Sequence, residues 1–438
     1  MSFPRYPKYK PSGVEWLGDV PEGWEVRKLS FSAVVLAGHS FDASLFGGEG
    51  IPVIRMSDFG GGRVRLTEAK RVEAANIPEK SLARKGDILL GLSGSISNFA
   101  EVVECDLPIA INQRVAIVRI RDDKRHLVKW FLQSPDFLNQ IVAELPETTI
   151  QNVSMGQLKR CKIPLPPLPE RTAIAEFLDR ETARIDGLVA EQQRLIELLK
   201  EKRQAVISHA VTKGLNPRAP MKPSGVEWLG DVPRHWEVWK LTHSFKTIGS
   251  GTTPKTDKRV YYENGVIPWV NTGDLNDSFL ADCENKITGS ARKENPTLRM
   301  YPAGSVVIAM YGATIGKLAI LKFAACVNQA CCVFADREKI DYKFLFYWLL
   351  AYRSQIISLA SGGGQPNISQ DILRRLRVAC PTLEEQSVIV AYIDRETLKY
   401  DSLTAESLRT IDLLLERRSA LISAAVTGQI DVQNSLRN

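Results

Sequence analysis

Histidine is scarce in this chain and its cysteines are scattered. Only five His occur, and none is spaced with a cysteine as zinc ligands would be. The cysteines are Cys105, Cys161, Cys283, Cys326, Cys331, Cys332 and Cys380, an odd number with no C-x-x-C pair. That pattern argues against a disulfide framework and for reduced thiols, mostly buried as small apolar residues. No stretch approaches the roughly 18 apolar residues of a membrane span. The N-terminus, MSFPRYPKYKPSGVEW, has no apolar core of signal-peptide type. The expectation is a cytoplasmic protein without a membrane partner. At 44% hydrophobic and 24% charged, the 438 residues have a globular composition, enough for two or three domains. A net charge of +7 permits a nucleic-acid partner without requiring one.

Proline is also missing from one long stretch. Glu170–Leu215 contains none, and glycine occurs there only at Gly187 and Gly214. Apolar residues fall at Ile185, Leu188, Leu195, Leu199 and Val206, a three-four spacing broken by Gln192. That spacing predicts a long helix with one narrow apolar seam. Pro166, Pro167 and Pro169 fit only before the helix or at its start, and Gly214 suits a C-terminal cap. A second copy spans Glu385–Ile430, with Leu403, Ile411, Leu414 and Leu421 on its seam. Arg171–Thr212 aligns without gaps to Gln386–Thr427, and half the positions are identical. Each helix would run roughly 60 Å. The partner each seam needs is expected in the same chain, as an intramolecular antiparallel coiled coil. The alternative is two separate amphipathic helices, each packed on its own domain.

The duplication extends further. Residues 10–29 read KPSGVEWLGDVPEGWEVRKL, and residues 222–241 differ from them at only three positions. Trp16, Trp24, Trp228 and Trp236 read as packing anchors within these heads. A period this long means duplicated domains and not a solenoid. Between head and helix lie short β-like runs: Ile51–Met56, Asp87–Leu92 and Val115–Ile120, then Val266–Val270, Ser305–Met310, Leu318–Leu321 and Cys331–Phe334. Val128–Phe137, Asp136–Leu145 and Tyr342–Leu359 read as helical. The fold class expected is α+β, a pseudo-twofold tandem repeat. Its parts are a first mixed domain (1–165), a helix (166–215), a second mixed domain (216–380), a second helix (381–430) and a tail (431–438). The mixed domains have diverged far more than the heads and helices. Constant scaffolds carrying two dissimilar domains suggest a device that presents two different surfaces.

Catalytic patterns are incomplete. Phe46-Gly47-Gly48-Glu49-Gly50 fits a methyl-donor loop, but the nearest approach to a methyltransferase Asn-Pro-Pro-aromatic motif is Asn295-Pro296-Thr297-Leu298. Gly312–Lys317 is one residue short of a phosphate loop, and Leu318 replaces its Ser or Thr. Asp274 with Glu284-Asn285-Lys286 fits a metal-dependent nuclease pattern only loosely. No catalytic or metal-ligating residue is assigned. The glycine-rich polar loops are more informative. Ser93–Asn98 follows a predicted strand and has its counterpart in Tyr311–Lys317. Asn112-Gln113 echoes Asn328-Gln329, and Thr148–Asn152 echoes the Gly362–Asn367 region. Hydroxyls, amides and cations on such loops suit phosphates and base edges. The candidate DNA contacts are therefore Ser93, Ser95, Asn98, Gln113, Arg114, Tyr311, Thr314, Lys317, Gln329, Gln365 and Asn367. Read singly, each of these also fits a solvated turn.

Head, variable domain and long helix, each present twice, resemble the specificity (S) subunit of type I restriction–modification systems. The residues carrying the resemblance are Gly23-Trp24-Glu25 with Lys28-Leu29, Trp236-Glu237 with Lys240-Leu241, the run Pro164–Glu170, both helices, Gly312–Lys317 with Asn328-Gln329, and Gln365–Ser369. Arg234-His235 departs from Glu22-Gly23 of the first copy. The resemblance implies two target-recognition domains, each reading half of a split sequence in double-stranded DNA, with the helices as spacer. It implies no catalysis in this chain and no cofactor bound to it. Two modification subunits would bind S-adenosylmethionine and methylate adenine, and restriction subunits would use ATP and Mg to translocate and cut. The competing classes are a self-contained methyltransferase or nuclease, and a coiled-coil adaptor that binds no DNA.

Overall fold

The computed structural model describes every residue except 1–2, 94–97, 122–124, 144–151, 361–365 and 434–438. Its contacts divide the chain into two units, Met1–Gln192 with Arg409–Asn438, and Gln193–Leu408. The division passes through both long helices, Leu168–Lys213 and Leu383–Val426.

In the first unit a four-stranded antiparallel sheet runs in the order Phe99–Glu101, Ile88–Gly91, Val115–Ile120, Ala33–Ala37. Val115–Ile120 is apolar almost throughout because both faces of its sheet are covered. Ala116, Val118 and Ile120 face a core shared with Trp24, Phe131, Phe137 and Phe177. Val115 and Ile117 face a second core with Ile54, Phe59 and Leu89. A smaller sheet joins Ala110–Ile111, Ile51–Ile54, Arg71–Val72 and Phe46–Gly47. The two helices expected at Val128–Phe137 and Asp136–Leu145 are Arg125–Leu132 and Pro135–Ala143. The boundary between them falls earlier than expected, at Gln133 and Ser134, since proline tolerates only a first helical turn.

The second unit repeats the plan with five strands, in the order Phe245–Ser250, Cys331–Arg337, Val306–Ala309, Leu318–Leu321, Ser278–Leu280. Val306 and Ile308 face one core, with Trp236, Phe344 and Trp348. Val307 and Ala309 face the other, with Val270, Tyr301 and Leu321. The sequence reading missed the edge strands Ala33–Ala37 and Phe245–Ser250. Ala33–Ala37 is apolar throughout but short and follows Leu29–Ser32 without a turn residue, and Phe245–Ser250 carries only two large apolar residues, Phe245 and Ile248.

Each head is tied to the start of a long helix. The indole Nε1 of Trp24 donates to Glu170 Oε1 at 2.8 Å, and that of Trp236 donates to Glu385 Oε1 at 3.2 Å. Both rings are buried. Each glutamate sits in the first helical turn, where the helix dipole favours negative charge. In the second unit the imidazole of His235 also reaches Glu385, with Nε2 2.9 Å from Oε2. Gly23 at the matching place offers no side chain.

Within each unit the two helices lie antiparallel. In the first, Ile174 and Leu178 share a core with Ile422 and Val426, and further along Asp186 meets Arg418. In the second, Ile207 and Val211 share a core with Ile389 and Ile393, and Arg203 meets Asp401. The seam differs from the one expected. Ile185 and Leu199 are buried, and Val206, Ile411, Leu414 and Leu421 are half-buried. Leu188 and Leu195 are each 41% exposed and Leu403 is 47% exposed, so these three lie on the outer face. The inward heptad runs Thr182, Ile185, Val189, Gln192, Ile196, Leu199 and Arg203, with polar residues at several seam positions.

Candidate nucleic-acid interface

In both units a hairpin of the main sheet carries the loop singled out by sequence. Ile88–Gly91 returns as Phe99–Glu101 through Ser93–Asn98, and Val306–Ala309 returns as Leu318–Leu321 through Tyr311–Lys317. Neither loop opens a helix, so Gly312–Lys317 is a hairpin turn and not a phosphate loop. Phe46-Gly47 likewise leads into the strand Ile51–Ile54, unlike a methyl-donor loop.

Backbone hydrogen bonds bring three separated segments to one end of each sheet. In the first unit Leu92 donates from N to Arg114 O at 3.0 Å and accepts from Val153 N at 2.8 Å, and Ser93 bridges Asn152. In the second, Met310 donates from N to Ala330 O at 2.8 Å and accepts from Ile368 N at 2.8 Å, and Tyr311 bridges Asn367. Ser93, Gln113 and Arg114 are thereby gathered in one place, as are Tyr311, Gln329 and Asn367. The two asparagines of the Asn-Gln pairs build their turns: Asn112 Oδ1 accepts from Arg114 N, and Asn328 Oδ1 accepts from Ala330 N. Gln113, Arg114, Lys317, Gln329 and Asn367 are exposed, and Thr314 is half-buried.

A fourth segment, absent from the sequence reading, completes each cluster. His39 accepts at its carbonyl from Gln113 N, and the hydroxyl of Thr253 donates to Gln329 Oε1 at 2.5 Å. The approach requires glycine. A Cβ on Gly38 would lie 2.1 Å from Asn112 O, and one on Gly251 would lie 1.7 Å from Val327 O. The glycine followed by polar residues at the end of each edge strand was the available signal.

Not every expected contact points outward. Asn98 donates its amide to Met56 O at 3.0 Å and to Phe59 O at 3.4 Å, so it braces its own domain. Tyr311 lays its ring partly on the core. Ser95 and Gln365 lie outside the described residues. At the other end of the strand Ile88–Gly91 from the loop, Asp87 is buried and held by Arg119 through Nε (2.9 Å) and Nη2 (2.7 Å). The hydrogen bonds it donates to that carboxylate hold the Arg119 guanidinium above its ordinary pKa. Lys258, near the Thr253 segment, is raised as well, by its hydrogen bonds to Tyr261 and Glu294. Among the described residues no group of three or more His, Cys, Asp or Glu could hold a metal ion, and no helix is long and apolar enough to cross a membrane. The arrangement offers amides, hydroxyls and cations on a rigid sheet end, a set of donors suited to reading a polar, anionic ligand.

The sequence model described as the type I restriction modification DNA specificity domain matches residues 21–198 and again 233–411. The EcoBI specificity subunit of Escherichia coli is 23% identical over 437 residues, 96% of this chain and 89% of that protein. The MjaVIII specificity subunit of Methanocaldococcus jannaschii is 28% identical over 309 residues, 66% of each chain. A chain from a solved structure on complex assembly and conformational transition of the type I R-M system superposes with a TM-score of 0.70 at 18% identity, over 93% of this chain and 98% of that one. The HsdS subunit of Thermoanaerobacter tengcongensis gives 0.52 at 17% identity, over 94% and 98%. With two tandem matches covering most of its length, the chain belongs to the type I restriction-modification DNA specificity domain family.

Proposed function

We propose that this chain is the specificity subunit of a type I restriction–modification complex, reading a split target in double-stranded DNA with one half per domain. One observation carries the reading. Two sheet ends of the same construction, each assembled from a hairpin loop, an Asn-Gln turn and a third polar segment, present different side chains. Gln113 and Arg114 stand in the first, and Lys317, Gln329 and Asn367 in the second. Amides give bidentate pairs to base edges, and cations meet phosphates or guanine.

The chain does no chemistry alone in this reading. Modification subunits bring S-adenosylmethionine and methylate adenine, and restriction subunits bring ATP and Mg. The outer faces of the long helices offer Leu188, Leu413 and Leu415 in one unit and Leu195, Leu198 and Leu403 in the other, all exposed. Apolar residues at helical spacing suit partner helices. The purified chain should neither methylate nor cleave DNA.

The deciding experiment replaces residues 30–165 with those of another family member and maps methylated adenines in a host carrying the whole system. One half-site should change and the other persist. A change in both halves would contradict independent reading.

A further inference from the structure

We infer that Asp277 and Arg353 are positioning residues for DNA reading by the second domain, acting through the Tyr311–Lys317 loop; this rests on that loop being a DNA-contacting element.

Asp277 has φ +59, in the left-handed region that side chains other than glycine rarely adopt. What holds it there is a set of contacts to one neighbour, the exit of the hairpin loop. Asp277 N donates to Leu318 O at 2.8 Å, and Leu318 N donates to Asp277 Oδ1 at 3.0 Å. Leu318 directly follows Lys317, the exposed cation of the loop. The same carboxylate receives the fork of Arg353, with Nη1 3.0 Å from Oδ2 and Nη2 on Oδ1. Two-point pairing of this kind fixes orientation as well as distance.

Arg353 also touches the loop itself. Gly316 has φ +76, and a Cβ built there would lie 3.2 Å from Arg353 Cγ and 3.0 Å from Ile357 Cδ1. The side chain therefore supports the loop with its stem while its guanidinium clamps the carboxylate at the loop's exit. The pair is not core: the Arg353 and Asp277 side chains are 29% and 33% exposed. The adjoining strands are joined without it, since Ser278–Leu280 already pairs in register with Ala319–Leu321.

The first domain has an independent brace at the matching place. Asn98 accepts at its carbonyl from Gly91 N as Lys317 accepts from Ala309 N, so the two residues occupy equivalent turns. There the Asn98 amide reaches Met56 O and Phe59 O. Different chemistry thus ties the same loop exit to a neighbouring segment in each domain. A loop that only closed a hairpin would need neither tie. A loop whose side chains must meet bases within a fraction of an ångström needs one.

The test uses the full chain and the duplex bearing the host's methylated target, together with that duplex altered at one base pair in either half. Asp277→Asn tolerates the left-handed backbone and keeps an acceptor for Leu318 N, but removes the charge facing Arg353. Arg353→Lys keeps the charge and removes the fork. Each should reduce discrimination in the second half on the order of tenfold, the scale of one weakened base contact. First-half discrimination, salt dependence and melting temperature should be unchanged, and the double variant should be no worse than either single one. Parallel loss of binding to every duplex with a lowered melting temperature would assign the pair a purely structural role and overturn the inference. Unchanged discrimination, in a protein where Lys317→Ala weakens binding, would overturn it while leaving the loop as a DNA contact. Binding unaltered by combined Lys317→Ala, Gln329→Ala and Asn367→Ala would remove the loop reading and this inference with it.

Discussion

Arg418 donates from Nε to Asp186 Oδ1 at 2.9 Å in the first unit. The repeat counterparts of these residues are Arg203 and Asp401, and Arg203 Nε lies 2.8 Å from Asp401 Oδ1 in the second. Each arginine sits on the inward heptad of one helix and each aspartate flanks the seam of the other. Taken with Ile174 and Leu178 beside Ile422 and Val426 in the first unit, and Ile207 and Val211 beside Ile389 and Ile393 in the second, each couple fits the antiparallel register of its own unit. The pairs are partly exposed and should be worth about 0.5–1 kcal/mol apiece. Reversing Asp186 to Arg should lower the thermal midpoint by about 1–3 °C. Adding Arg418→Asp should recover most of that loss. No recovery would mean that the couple is incidental.

Lys317 is exposed at the end of its hairpin loop. If it meets phosphate, Lys317→Ala should weaken binding to cognate and unrelated duplexes alike. The slope of log affinity against log salt should fall by about 0.9. Gln329→Ala should instead cost roughly 1–3 kcal/mol on the cognate duplex and relax one position of the second half. An equal effect of the two variants on every sequence would exchange these roles.

The long helices set a second expectation. Inserting one heptad into each keeps the inward pattern and lengthens each helix by about 10 Å. Both half-sites should be read as before across a longer spacer, with activity lowered by the changed rotation about the duplex. An active complex that keeps its original spacer would show that something other than the helices sets the distance.

Thiol chemistry separates the cysteines. Cys105 is exposed and the other six are buried. Burial pushes Cys326 up to about 11, and Cys332 and Cys380 up to about 12, with Cys331 raised further still. Iodoacetamide at pH 8 should label Cys105 in the folded chain and the remaining six only in denaturant. Unfolded thiols ionise near pH 8.5, so the unfolded state binds fewer protons in alkali. Stability should therefore be full below about pH 8.5 and fall as pH climbs from there through about 11 to 12. Rapid labelling of Cys331 without denaturant would contradict its burial.

The hairpin loops were legible in sequence because an apolar strand, a glycine-rich polar run and a second strand leave few other solutions. Strand runs such as Val115–Ile120 were legible for the same reason. The helix seam was legible in period and not in phase. Leu188 and Leu195 repeat as regularly as the buried positions, and Thr182, Gln192 and Arg203 dilute the true inward row. Two apolar stripes on one helix look alike until a neighbour covers one of them. His39 and Thr253 were missed, because the glycine before each signals a close backbone approach without naming its partner, and Gln113 and Gln329 come from strands far away in sequence. The bracing role of Asn98 was not legible, because an amide on a loop looks the same whether it braces the loop or faces solvent.

The hydroxyl of Tyr9 donates to Gly428 O at 3.0 Å, and Asp431 N donates to Pro4 O at 2.8 Å. This joint between the end of one long helix and the head beside it has a covalent twin. At the other repeat, the helix ending at Lys213 runs through Gly214 directly into the head strand Met221–Pro223. The two joints therefore have the same construction, one held by hydrogen bonds and the other by the backbone. A chain reopened between Gly214 and Met221, with Gln433 linked to Phe3 by a short flexible peptide so that buried Val432 is kept, should fold to the same structure and read the same DNA. In such a molecule, which domain is made first becomes a matter of where the gene starts and not of how the protein works.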